Sequence, residues 1–417
     1  MFRDARSLVE TILNDRTLLP DSEPARPLEV VHQDRKCQAR TLFGTITLRR
    51  RYYHHTRAGT GRCPLDECLD LDSGHMPGLA RLVCRAPAVS GSYEAAAGDL
   101  HAYLGLAIEG RGFVRLVADI VPELRAARDS RPAPVDKEPV AILYAASDGT
   151  GVPLRRRELA GIKGRQPDGT ARTREVKLGC IFTQTTTDKD GEPLRDEAST
   201  TYVGTFDDCR AAGTQLRAEA LRRGYATAQT TVYLGNGAAW IWENARLNFP
   251  GSIEILDFYQ ASEHAGDLAK ALLGAGPEAT ALQSDWCHAM KADSSDPVLT
   301  AARSLLAARQ NELSPEQVET AQREIAYLTT NAARTRYGEF RASGYFIGSG
   351  VVEAGCRTVV GRRLKASGMF WSQRGGDDLL TLRCLVLGPT FSDVWKARIP
   401  FLKAQRAKPP RWSPALN

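Results

Sequence analysis

Long apolar runs are missing from the sequence, and none reaches the roughly 18 residues that a membrane-spanning helix needs. The first residues, MFRDARSLVETILNDR, are charged throughout and contain no apolar core typical of a secretory signal. We therefore expect a cytoplasmic protein with no membrane partner.

Paired cysteine motifs are also missing, because none of the nine cysteines forms a CxxC pair. This spacing argues against a zinc ribbon and a dithiol redox site, and it favours reduced thiols. His54, His55, Cys63 and Cys68 are the remaining candidates for zinc ligands. Without CxxC spacing, two surface histidines and two structural thiols are the better interpretation.

A strong excess of one charge is missing too. Lys and Arg number 55 against 49 Asp and Glu, which gives a net charge of +6. An excess this small does not by itself indicate a nucleic-acid partner. With 417 residues, of which 42% are hydrophobic and 25% charged, the chain is expected to form two or three globular domains.

The first region, residues 1–125, is predicted to be mainly helical. Alternating apolar and polar residues from Leu42 to Tyr53 predict a strand or hairpin within it. Residues 91–120 read as a helix, a turn at Gly105 and a second helix, which fits a DNA-binding helix-turn-helix or an ordinary helical hairpin. Residues 126–139 have two alternating prolines and mixed charges, which predict a linker.

After the linker the order of elements is β-β-β-α-β-α-β, followed by a long helical stretch and a last helical block. This order predicts an α/β fold with a ribonuclease-H-like mixed sheet, by analogy at the level of the fold. The core would comprise residues 140–265 and 346–388, with a helical insertion at 266–345. Residues 389–417 are rich in proline and basic residues and are predicted to be a tail.

Four polar residues stand where such a sheet would carry its chemistry. Asp148 follows an apolar strand, Asn236 lies in an Asn-Gly dipeptide after a later strand, and Asp257 follows the next one. Ordinary turns and a helix N-terminus also explain these three residues. Glu353 lies between two glycines in an apolar stretch, where an unpaired charge is costly, and it precedes a basic helix.

Two basic segments flank these candidates and could neutralise DNA phosphates, although a solvated surface is the alternative. The first segment lies in residues 151–177, and the second in residues 357–374. The predicted DNA contacts are Arg155, Arg156, Arg157, Lys163, Arg165, Arg357, Arg362, Arg363 and Lys365.

Several long stretches together resemble bacterial insertion-sequence transposases of the ISKra group. They include DGTGVPLRRRELAGIKGRQPDGTARTREVKLGCIFTQT, YLGNGAAWIWENARLNFPGSIEILDFYQASEH, YFIGSGVVEAGCRTVVGRRLKASGMFW and LRCLVL, and they span nearly the whole chain. The resemblance implies a ribonuclease-H-like acidic core that cleaves and transfers DNA strands with two Mg²⁺ or Mn²⁺ ions. It also implies double-stranded DNA as partner, a homo-oligomer on that DNA, and a bacterial, nucleoid-associated location.

By the same resemblance Asp148 is the first metal-binding acid and Glu353 the third. The second acid should occupy the position of Asn236, and Gln260 stands where such transposases have His. Asp257 survives nearby and could substitute in part as a metal ligand. The resemblance therefore implies a transposase that is impaired in this copy, or alternatively a DNA-binding protein derived from one.

Overall fold

The computed structural model describes residues 2–15, 18, 23–71, 74–133, 139–164, 166 and 169–407. The described residues divide into two compact units. The first unit lies within 1–130, 374–386 and 390–407, and the second within 131–373 and 387–389.

Strands and helices are numbered along the chain. The strands are β1 (Glu29–Thr41), β2 (Gly44–His55), β3 (Gly61–Arg62), β4 (Ile142–Pro153), β5 (Thr173–Gln184), β6 (Thr186–Thr187), β7 (Pro193–Leu194), β8 (Thr201–Thr205), β9 (Thr230–Gly235) and β10 (Ile253–Leu256). The helices are α1 (Phe2–Asn14), α2 (Pro64–Cys68), α3 (Pro77–Val89), α4 (Tyr93–Leu104), α5 (Gly110–Ser130), α6 (Cys209–Arg222), α7 (Ala239–Asn248), α8 (Phe258–Leu273), α9 (Pro277–Ala292), α10 (Asp296–Arg309), α11 (Pro315–Thr330), α12 (Tyr337–Ala342), α13 (Gly350–Gly355), α14 (Arg362–Leu364), α15 (Gln373–Leu387) and α16 (Phe391–Ala407). None of these described helices is both long and apolar enough to cross a membrane.

The first unit opens with α1 and an antiparallel hairpin of β1 and β2, to which β3 adds a short third strand. The strand predicted from Leu42 to Tyr53 is present as β2. Its partner β1 was missed, because the charged run QDRK hides its alternation. Ala39, Ile46 and Leu48 form a small buried cluster, against which Val9 and Leu13 of α1 pack. The region therefore contains a substantial sheet as well as helices.

The predicted pair of helices around Gly105 is present as α4 and α5. Ser92 caps α4 by accepting a hydrogen bond from the backbone N–H of Ala95, at 2.9 Å. Gly105 ends that helix in the left-handed conformation, with φ of 65°, which glycine adopts without strain. Recognition of DNA by this pair stays a prediction.

Helices occupy parts of the segments that were expected to be a linker and a tail, and both expectations are corrected here. The helix α5 continues to Ser130, because residues 126–130 include good helix formers, and residues 134–138 lie outside the described residues. The helix α16 occupies most of the expected tail. Its apolar residues Phe391, Val394 and Trp395 lie at helical spacing and are buried in the same core as α5. Residues 408–417 lie outside the described residues.

The second unit is built on a five-stranded mixed sheet in the order β10-β9-β4-β5-β8. The strands β4, β9 and β10 are parallel, whereas β5 is antiparallel to both β4 and β8. The predicted order of strands and helices is thus present, and the unit has a mixed α/β architecture. All residues from Leu143 to Ser147 are buried, as expected for a central strand that is covered on both faces.

A helical segment, α8 to α12, separates β10 from α13. It begins at Phe258, earlier than the predicted start at residue 266, because α8 follows β10 directly. The helix α13 then continues through a π-helical turn, Cys356–Gly361, into α14. Such π-helical turns occur frequently at functional sites.

Candidate functional site

Asp148 lies within β4 and does not end it, contrary to the prediction. The strand continues to Pro153 because its antiparallel pairing with β5 extends that far. Its parallel pairing with β9, in contrast, stops at Ala146 opposite Leu234. Asp148 therefore stands on a rigid strand just where the neighbouring strand ends, with its side chain half-buried.

Asn236 follows β9 directly and contacts Asp148. Its Nδ2 donates a hydrogen bond to Asp148 Oδ1 at 3.0 Å, and its Oδ1 accepts one from the backbone N–H of Ala238 at 3.2 Å. The backbone N–H of Gly149 donates to the same Asp148 oxygen at 2.7 Å. The structure thus brings together the first predicted acid and the residue at the expected position of the second.

Tyr327 of α11 supports the turn that carries Asn236. Its hydroxyl donates a hydrogen bond to the backbone oxygen of Asn236 at 3.0 Å. Burial, and then the nearby Asp257 carboxylate, raises the pKa of Tyr327, so the hydroxyl keeps its proton. His264 stacks on the Tyr327 ring with centroids 3.5 Å apart, and its Nδ1 lies 2.5 Å from Glu324 Oε2. No motif in the sequence points to Tyr327, since it lies in the helical segment.

Asp257 reaches the same edge of the sheet, as the parallel strands predict, but its carboxylate is fully buried. It caps α8 by accepting a hydrogen bond from the backbone N–H of Gln260 at 2.8 Å, and it accepts another from the backbone N–H of Ser349. Both carboxylate oxygens are therefore held by backbone donors. These contacts give Asp257 a structural role, and its part as a metal ligand stays a prediction.

Gln260 and His264 do not form a polar cluster with the Asp257 side chain. The Gln260 side chain donates to Glu263 Oε2 at 3.1 Å, while His264 faces Glu324. The side chain of Gln260, the residue that stands where such transposases have His, therefore pairs with Glu263 and not with Asp257.

Glu353 lies on α13, half-buried, and Ser349 links it to Asp257. The hydroxyl of Ser349 donates to Glu353 Oε1 at 2.8 Å, while its backbone N–H donates to Asp257. Ser349 itself is buried, with 3% of its surface exposed. Sequence reasoning missed Ser349, because a serine in a Gly-Ser-Gly stretch reads as an ordinary loop residue.

Cys356, at the start of the π-helical turn, joins the same helix to Asp148. Burial, and then the neighbouring Asp148 carboxylate, raises the pKa of the Cys356 thiol, so the S–H group stays protonated beside that carboxylate. Residues three apart on a helix share a face, so Glu353 lies one turn from this contact. A Cβ at Gly355 would lie 2.7 Å from Tyr202 Cε1, so glycine permits the close approach of the helix to the sheet.

The contacts therefore gather Asp148, Asn236 and Glu353 at one edge of the sheet. Within the part of the chain that the structure describes, no three His, Cys, Asp or Glu side chains are grouped so that they could hold a metal ion. The four candidates for zinc ligands in the first unit, all of them described residues, form no such group. The site offers two carboxylates and one amide, with the amide nitrogen turned toward Asp148.

The basic loop, residues 154–172, connects the long strands β4 and β5. Arg155, Arg156, Arg157 and Lys163 are exposed on it, and Arg165 lies outside the described residues. The loop has some structure, because it begins with a 3₁₀ turn, Arg156–Leu159. Its exposed guanidinium groups are available to phosphates.

The second basic segment, residues 357–374, contains both exposed and buried basic side chains. Arg357, Arg362 and Lys365 are exposed, and Lys365 Nζ donates to Thr150 Oγ1 on β4. Arg363, in contrast, is only 1% exposed and lies over the Trp371 ring, 5.0 Å from its centroid. The prediction of Arg363 as a DNA contact is wrong, because the side chain packs inside the unit.

Replacing Arg155, Arg156 and Arg157 by Ala is expected to lower the dependence of DNA affinity on salt. Three lost phosphate contacts would reduce the slope of log K against log salt by about 2 to 3. A salt titration of binding to labelled duplex DNA measures this slope. An unchanged slope would mean that the loop is a solvated surface with no contact to DNA.

Comparison with known proteins identifies a family. A family model described as an uncharacterised protein family, UPF0236, matches residues 5–390. The chain belongs to the UPF0236 family. No curated protein matches this UPF0236 chain. Among solved structures it has a weak likeness to a chain of the Drosophila P element transposase strand transfer complex, with 10% identity and a TM-score of 0.25. The match covers 80% of this chain and 86% of that chain.

Proposed function

We propose that this UPF0236 chain is a DNA transposase of the ISKra group, with a ribonuclease-H-like core whose strand cleavage is weakened by Asn236. The strand order and directions support this fold, since an antiparallel trio is extended by two parallel strands joined through helices. The half-exposed Asp148, Asn236 and Glu353 share one edge of that sheet. An exposed basic loop begins on the same strand as Asp148.

The hydrogen bond from Asn236 to Asp148 carries the proposal. It supports the proposal because residue 236 lies beside Asp148, and the resemblance implies a second acid at residue 236. Asparagine has almost the shape of aspartate, but its amide donates to Asp148, where a carboxylate would add a negative charge. Asn236 thus occupies the same space as an aspartate would, but it carries no negative charge.

The residues present do not fit a pair of divalent cations. Two dications about 3.5–4 Å apart repel each other and need several converging carboxylates. Asp148 and Glu353 supply two, the Asn236 amide oxygen already accepts from Ala238, and Asp257 is buried. Asp148 and Glu353 would supply two carboxylate ligands of the kind that a hard cation prefers.

The second candidate function is binding of transposon ends without cleavage. The hydrogen bonds of Asn236 favour this function. Its amide nitrogen donates to Asp148 and its amide oxygen accepts from Ala238, so both polar groups already have partners within the protein. Both functions require specific recognition of the DNA that flanks the gene. They differ in cleavage.

Binding to those flanks tests the proposal. The full chain in EDTA is expected to bind labelled duplexes from the DNA flanking the gene at least about tenfold more tightly than shuffled duplexes of equal length, since specific binding normally exceeds non-specific binding by more. Mobility shift at several salt concentrations measures the ratio. Equal affinity for all duplexes, or no binding to DNA, would overturn both candidate functions.

A further inference from the structure

One face of the β1–β2 hairpin is basic and turned to solvent. The strand register places Lys36 opposite Arg49, Gln38 opposite Thr47 and Arg40 opposite Thr45. Alternate residues of a strand share a face, and Gln38 Nε2 donates to Thr47 Oγ1 at 3.2 Å across it. We name this set the ribbon face: Lys36, Gln38, Arg40, Thr45, Thr47, Arg49 and Arg51.

The opposite face of the hairpin is closed. Ala39, Ile46 and Leu48 alternate with the ribbon face and are buried against residues of α1. The hairpin is therefore anchored on one side. Most of the ribbon face is exposed, with Thr47 and Arg51 half-buried.

Basic side chains outnumber acids on the ribbon face. Its seven named residues include four basic side chains and no acid, and Asp34 lies beside them. Asp34, at the irregularity in β1, pairs with Arg49 Nη1 at 3.2 Å. Both side chains are more than half exposed, so this pair is weak and can exchange for a phosphate.

We propose that the ribbon face binds double-stranded DNA in the major groove. A two-stranded ribbon fits a groove about 12 Å wide, where Gln and Thr side chains can reach base edges while Lys and Arg neutralise phosphates. Double-stranded RNA fits poorly, because its major groove is deep and narrow. The inference goes beyond the proposed function: it places DNA binding on strands rather than on α4 and α5, and it holds whether or not the acidic site cleaves.

The test compares two pairs of substitutions that remove the same charge. Lys36→Gln with Arg49→Gln neutralises the ribbon face, whereas Arg35→Gln with Arg57→Gln neutralises exposed arginines elsewhere on the first unit. Arg35 is opposite Arg50, and its guanidinium lies over the Tyr52 ring, 5.9 Å from the centroid. Arg57 lies in the turn after β2.

Binding of the full chain to labelled duplex DNA in EDTA is measured over a range of salt. In the ribbon variant the slope of log K against log salt is expected to decrease by about 1.8. Its affinity at ~0.1 M salt should fall at least about tenfold. The control variant should stay within about twofold of the native chain. Melting curves verify folding, and Lys36→Gln alone should show about half the loss of slope if the double variant unfolds.

Equal losses of DNA affinity in the two variants would overturn the proposal, because binding would then depend on the net charge of the protein and not on the ribbon face. Retained binding in the ribbon variant, with loss in Arg111→Gln with Arg115→Gln on α5, would overturn it in favour of the helix pair. Duplex RNA that competes as well as duplex DNA would show that no groove is recognised. Because EDTA removes divalent ions, these results do not depend on cleavage, and failure of the acidic site leaves them unchanged.

Discussion

Asn236→Asp is expected to raise Mg²⁺-dependent nicking of duplexes from the flanking DNA by about 100-fold or more. The substitution restores a negative charge beside Asp148, where Asn236 now donates its amide. Changes in groups that merely orient metal ligands alter metal affinity or activity by about 10- to 100-fold, and a ligand itself should matter at least as much. The measurement is the rate of nicking of a labelled duplex in Mg²⁺.

A second variant, Asn236→Asp with Glu353→Gln, is the control, and it should return nicking to the native level. Mg²⁺ should also raise the melting temperature of Asn236→Asp more than that of the native chain, because a ligand that binds the folded state stabilises it. Rapid Mg²⁺-dependent nicking by the native chain would contradict the assignment of residue 236. No nicking by any variant, with specific binding intact, would favour the protein that binds DNA without cleavage.

Asp257→Ala is expected to lower the free energy of unfolding by about 2–4 kcal/mol. The substitution removes the cap of α8 and leaves the buried N–H of Ser349 without its acceptor. Loss of a cap costs about 1 kcal/mol, and a buried donor left unsatisfied costs about 1–3 kcal/mol. Denaturation in urea measures the change. Asp267→Ala, which breaks an exposed ion pair with Lys270, should have little effect.

Asp257→Asn separates the structural role from a catalytic one. In the Asn236→Asp background it should keep most of the nicking activity wherever the chain stays folded, since an amide oxygen can still cap α8. Loss of nicking with unchanged stability would show that Asp257 is a metal ligand after all.

Local sequence patterns predicted the part of the site that depends on strand order. The apolar run before Asp148 predicts a buried strand, and parallel neighbours then bring Asn236 and Asp257 to the same edge. The end of β4 was mispredicted, because an Asp-Gly dipeptide ordinarily marks a turn. Here the ladder with β5 continues through it, since pairing with another strand outweighs the local preference.

The remaining contacts depend on residues distant in sequence, which local patterns do not encode. Ser349 matters because its backbone and hydroxyl meet Asp257 and Glu353, and Cys356 because its helix lies against the sheet at Gly355. Arg363 resembled its exposed neighbours in sequence, and only packing against Trp371 distinguishes it. Burial of a charged side chain is set by the tertiary structure and not by the charge run that contains it.

The first unit draws its core from both ends of the chain. Phe113 and Val117 of α5 share a buried cluster with Leu382 of α15 and Trp395 of α16. During synthesis the ribosome releases the whole second unit before these partners of α5 emerge, and domains generally fold as units as they emerge. Nascent chains that stop within the second unit would therefore expose the apolar side of α5, which makes them substrates for proteases. Only chains that have been translated through α16 can complete this core.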